Sequence, residues 1–98
     1  MILDFERDTA GRKSAEFWRW LQTHQREYFV NVTSPRAGRI HRADCPHMKF
    51  PEPHHVNFVA RRKVCSPDRG ELERWASRER VQITTCPDCD RIDVRSAP

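Results

Sequence analysis

Cys86-Pro87-Asp88-Cys89 stands nine residues from the end of a 98-residue chain, and no other feature constrains the fold as strongly. Two thiols at this spacing serve either as a redox dithiol or as half of a metal site. Thioredoxin-like folds place Cys-x-x-Cys at the start of a helix with more sheet to follow. The nine residues after Cys89 leave no room for that sheet. A metal knuckle needs only a tight turn, in which two thiolates grip one ion while nearby amides donate to the sulfurs. The spacing therefore predicts a knuckle, and a tetrahedral ion such as zinc requires two further ligands.

The remaining donors are His24, His41, Cys45, His47, His54, His55 and Cys65. Cys45 is the natural third ligand, because it follows a predicted hairpin and precedes a proline. The fourth stays open between His41 and Cys65. A turn at 42–44 would bring the His41 ring beside Cys45. Cys65 precedes a helix N-terminus, where a thiolate is favoured, but a small cysteine beside Val64 also suits a core position. His54 and His55 lie in a proline-rich loop, and His47 crowds Cys45.

A chain of this length suits one domain with a modest core. With 37% hydrophobic and 33% charged residues, that core is thin and gains from a staple, either disulfides or a metal. The N-terminal stretch MILDFERDTAGRK lacks the basic segment and apolar run of a secretory signal. No run of eighteen apolar residues spans a membrane. The expected setting is the cytoplasm, where thiols stay reduced and metal binding is favoured over disulfides.

Residues 12–26 place Phe17, Trp18 and Leu21 at helical spacing, with Trp20 off the main face. Tyr28 to Thr33 is aromatic and β-branched and reads as a strand. Ser34-Pro35-Arg36-Ala37-Gly38 is turn chemistry, and 39–41 returns as a second strand leading to Cys45. Residues 46–55 hold three prolines and read as a loop, with a short strand expected at 56–59. Ser66-Pro67-Asp68 predicts a helix over 67–78, with serine as N-cap and proline at the first position. Leu72, Trp75 and Ala76 share its apolar face. A strand at 81–84 delivers the chain to Cys86. These elements define a small α+β domain with a short antiparallel sheet, an N-terminal helix, and a second helix before the knuckle.

The order strand, turn, G-x-I-H-R-x-x-C-P, loop, N-F-V, S-P-x-x-x-x-L helix, strand, C-P-x-C resembles the metal-binding module of Ada-type DNA-repair proteins. It is similar also to small zinc modules with His-Arg-x-x-Cys that occur fused to bacterial nucleases. The resemblance covers roughly 28–90. It implies a segment 1–27 outside the module, a tail at 91–98, and zinc bound by His41, Cys45, Cys86 and Cys89. Arg42 falls on the arginine inside the first ligand pair. One departure matters. In Ada-type modules the first ligand is the thiolate that accepts a methyl group. Here that position is His41, which ligates zinc as neutral imidazole but is not a soft anionic nucleophile, so alkyl transfer is not expected.

Fifteen of the 18 basic residues are arginine, and the formal net charge is +4. Three thiolates and a divalent ion together change that charge by −1, so the site itself is mildly negative and phosphate contacts must come from around it. Arginine's planar fork suits phosphate. Arg36, Arg39, Arg42, Arg61, Arg62 and Lys63 are the candidate contacts around the hairpin. The expectation is a noncatalytic zinc module that binds nucleic acid, with DNA as partner. The rival is a protein-interaction adaptor docking through Trp18, Trp20 and the proline loop. No nucleotide loop, serine triad or paired carboxylates suggest an enzyme.

Overall fold

The computed structural model of the chain describes residues 2–6, 14–45 and 61–89. The elements run β1 (Leu3–Phe5), α1 (Ser14–Thr23), β2 (Tyr28–Ser34), β3 (Ala37–Arg42), β4 (Lys63–Ser66), α2 (Arg69–Glu79) and β5 (Gln82–Thr85). A short helical turn follows at 87–89. The five strands form one sheet in the order β1-β4-β2-β3-β5. Neighbours are antiparallel except β3 and β5, which pair in parallel with Ile40 opposite Thr85. The fold is therefore α+β as expected, with one parallel edge added to the antiparallel sheet. The expected loop at 46–55 and strand at 56–59 lie outside the described residues.

Period-2 alternation splits the sheet into two apolar faces. Val30, Ile40 and Val64 point to one side and pack with Leu72, Trp75 and Ala76 of α2, and with Val81. Phe29, Cys65 and Phe5 point to the other and pack with Phe17, Trp20 and Leu21 of α1. Trp20 is thus buried rather than off the main face. Positions 17, 20 and 21 follow the i, i+3, i+4 spacing of a single helical stripe. Phe5 meets Phe17 edge-on at 5.3 Å, and Trp20 stacks on Phe17 at 5.9 Å. Trp18 takes the half-buried rim. The sequence reading missed β1, which carries Phe5 into this cluster.

The hairpin β2–β3 carries a bulge between Val32 and Ser34. Gly38 is required there by close approach, because a Cβ would lie 2.7 Å from Val30 Cγ1. Residues 63–66, to which the sequence assigned no element, form an interior strand of the sheet, buried at all four positions. One local reading needs correction. The N-cap of α2 is Asp68, not Ser66: the Asp68 carboxylate accepts from Gly70 N at 2.9 Å. Ser66 belongs to β4, where its hydroxyl accepts from Asp68 N at 3.0 Å and donates to Glu71 at 2.6 Å. The serine thus braces the cap from outside, and Pro67 precedes the helix. α2 ends on Arg80, a non-glycine residue at φ 57.

Candidate metal centre

Strand pairing builds the centre from two distant stretches. The parallel register sets Ile40 beside Thr85, so His41 and Cys86 emerge side by side at the same end of the sheet. Cys86 N donates to Ile40 O at 3.2 Å and extends that pairing by one residue. Past His41 the chain makes a tight turn, with Cys45 N bonded to Arg42 O at 3.0 Å. Ala43 N and Asp44 N donate to Glu27 O and Gln25 O, which anchors this turn to the α1–β2 connection. The helical turn after Cys86 then brings Cys89 back over the site.

His41, Cys45, Cys86 and Cys89 are all buried, and their ligand atoms lie within 4.8 Å of one another. Cys45 Sγ is 3.9 Å from Cys86 Sγ, and Cys89 Sγ is 3.8 Å from His41 Nδ1. Metal–sulfur bonds of about 2.3 Å and metal–nitrogen bonds of about 2.0 Å imply tetrahedral edges of roughly 3.5–3.8 Å. The two short edges match that tetrahedron, so the donor set fits one ion. Arg42 N donates to Cys89 Sγ at 3.3 Å, the amide-to-sulfur contact that steadies a thiolate ligand. The His41 ring stacks on Phe29 at 5.2 Å, which ties its orientation to the aromatic core under α1. Burial raises the Cys89 thiol above its ordinary range, and the neighbouring Cys45 and Cys86 add to that rise. A cation at the centre reverses the balance, because a coordinated thiol is deprotonated outright.

Cys65 is not in this cluster. It sits in β4 opposite Phe29, among the aromatic residues under α1. Burial is the first cause that raises its thiol well above the ordinary value. His24 stacks on Trp20 at 5.3 Å, at the C-terminal end of α1. His47, His54 and His55 lie outside the described residues.

The candidate phosphate contacts divide into two groups. Arg36, Arg39 and Arg61 are exposed around the hairpin. The other three are engaged elsewhere. Arg42 is buried beside the cluster of His41, Cys45, Cys86 and Cys89, and its guanidinium meets Asp44 at 2.8 Å. Arg62 donates from Nε to Asp4 at 3.0 Å and lies 5.4 Å over Trp75. The hydrogen bond to Asp4 holds the Arg62 guanidinium above its usual value. Lys63 is buried, with Nζ donating to Asn31 Oδ1 at 2.6 Å and to Arg61 O at 3.2 Å. Burial first, and then Arg61, push its ammonium down to about 8. Sequence reasoning passed over Asn31, Asp44 and Phe29 as functional neighbours. The available signal for Asn31 was a lone amide at a face position of an otherwise apolar and β-branched strand.

Comparison with protein-family models, curated proteins and solved structures found no significant match. Fold and site together define a small α+β protein whose sheet ends in a buried centre of one histidine and three cysteines able to hold a metal ion. Among the described residues, no helix is long and apolar enough to cross a membrane.

Proposed function

We propose that this protein is a noncatalytic, zinc-stapled module of Ada-like type that binds nucleic acid, with DNA as its partner in the cytoplasm. Zinc is the ion that a buried set of three thiolates and one imidazole suits best, and four protein ligands leave no coordination position for a reacting water. The reading rests on one observation above all. Arg36, Arg39 and Arg61 project from the hairpin half of the sheet, and none of them is paired with a carboxylate among the described residues. Guanidinium groups left without carboxylates in this way are the donors that a phosphate backbone engages. The adaptor reading loses one of its two tryptophans, since Trp20 is 6% exposed.

Duplex DNA titrated into the zinc-loaded protein at rising salt tests the reading. Each neutralised phosphate contributes a log–log slope of about −0.9, so three contacts weaken binding about 40-fold over a fourfold rise in salt. Arg36→Glu combined with Arg61→Glu should weaken binding to all sequences and flatten the slope, with zinc content unchanged. Absence of binding to any nucleic acid at low salt would exclude the proposal and favour the adaptor.

A further inference from the structure

On the sheet face that carries α1, the helix covers Phe29, Cys65 and Phe5. The hairpin half of the same face has a different composition. A cleft of about 520 Å³ opens there over β2, β3 and β5, and its polar lining comes from Asn31, Thr33, Arg39, His41, Gln82 and Thr84. Among the described residues, no carboxylate lines it. The sheet register sets Lys63, Asn31, Arg39 and Thr84 in one row across four strands' width, Asn31 pairing with both Lys63 and Arg39, and Arg39 with Thr84. We infer that this cleft is a binding site for a nucleotide, held by its phosphate between Arg39 and Asn31 with the Lys63 ammonium behind them.

Three features carry this. Arg39 is exposed in the cleft wall, with no carboxylate partner among the described residues. Lys63 can only donate, and it has claimed Asn31 Oδ1. The Asn31 amide is thereby fixed with its Nδ2 donors turned to other partners. An ammonium buried against Asn31 and the Phe17 ring is a positive charge with no counter-ion among the described residues, and an anion in the cleft supplies one. The lowered affinity of Lys63 for its proton agrees with that missing anion. The cleft is far larger than a phosphate alone and falls within the size range of small-ligand sites. Gln82, Thr84 and Thr33 offer amide and hydroxyl groups to a sugar or a base edge. His41 forms part of the wall, so the metal centre sets one boundary of the cleft.

This deepens the nucleic-acid reading and rests on it only for the source of the nucleotide, which is a strand or a free mononucleotide. The test titrates zinc-loaded full-length protein with adenosine 5′-monophosphate and, separately, with a single strand of six thymidines. Asn31→Asp is the decisive variant. It keeps the side-chain shape, pairs with Lys63, and places a negative charge where the phosphate sits. Arg78→Gln on the exposed surface of α2 makes the same change in net charge as a control. At least one ligand should bind wild type and Arg78→Gln alike, and bind Asn31→Asp roughly tenfold or more weakly, as expected when a hydrogen bond to a charged group is lost. The Asn31→Asp protein should melt at or above the wild-type temperature, which separates lost binding from lost fold. Binding of the mononucleotide but not the strand keeps the site and removes the polynucleotide reading. Binding of the strand but not the mononucleotide, with the same Asn31→Asp loss, keeps both. If neither ligand binds wild type at low salt, or Asn31→Asp binds as tightly as wild type, the inference is overturned. In the latter case duplex binding through Arg36 and Arg61 still stands or falls by its own salt slope.

Discussion

The two ends of strand β3 are only a few residues apart and obey opposite rules. At His41 the chain is buried, and four donors from two distant segments converge on one point. At Arg39, only two residues away, it is exposed and faces the polar side chains of an open cleft. The His41 end gathers one imidazole and three thiols able to hold an ion, an arrangement suited to fixing the fold. The Arg39 end leaves that guanidinium without a carboxylate among the described residues, which adds little to stability and suits an anionic ligand. One strand therefore separates what holds the molecule together from what it presents. Stability should depend on the first end and be nearly indifferent to the second.

The largest effect should come from removing the metal. Structural zinc contributes on the order of 10 kcal/mol to folding in small metal-stapled peptides. Chelation should therefore abolish the cooperative thermal transition seen by circular dichroism, whereas Arg39→Glu should leave it nearly in place. An unchanged melt after chelation would mean that the His41 end is no staple. Second in size is a contrast between cysteines. Cys86→Ser should release the ion and most of the stability with it. Cys65→Ser should keep the ion and cost only about 1–3 kcal/mol, for a hydroxyl buried among aromatic rings. Denaturant titration with parallel metal analysis reads both.

Lys63 gives a smaller effect with a definite sign. Its ammonium titrates near 8 in the folded protein and near 10.5 in the unfolded chain, because burial and Arg61 disfavour the charged form. Between those values the unfolded chain holds the proton and the folded chain does not, so this group makes stability rise with pH across the window. Phe17 from α1, Phe5 and Asn31 from the flanking strands, and Arg61 and Cys65 on its own segment surround it. Lys63→Met should lose that rise, and the difference between wild type and variant cancels the opposing titration of thiols. A flat difference from pH 7 to pH 10 would show that the ammonium is solvated. The smallest effect belongs to Arg80, held at φ 57 after α2. Arg80→Gly should stabilise by a few tenths to about 1 kcal/mol in a urea titration, since glycine adopts that backbone without a Cβ clash.

These contrasts also explain what the sequence could disclose. The ligand-bearing segments were legible because ligands announce themselves by type and spacing, and the hairpin and α2 because turn residues and apolar periodicity are local signals. The choice between His41 and Cys65 was not local. It depends on the parallel register of β3 and β5, which sets Cys86 beside His41, and on Phe29 taking Cys65 into the core. β1 is three residues long and takes its strand identity from pairing with β4. Lys63 and Arg62 read as candidate phosphate contacts because Asn31 and Asp4, their partners, lie 32 and 58 residues away. Arg42 lies between His41 and Cys45 in the chain, but Asp44 and burial direct its charge inward.

The central claim is that His41, Cys45, Cys86 and Cys89 hold one zinc ion and that Cys65 has no part in it. Elemental analysis of purified wild type, His41→Ala and Cys65→Ser after gel filtration tests it most directly. The account predicts one zinc per chain in wild type and in Cys65→Ser, and strongly reduced zinc in His41→Ala. Full zinc in His41→Ala together with its loss in Cys65→Ser would contradict it.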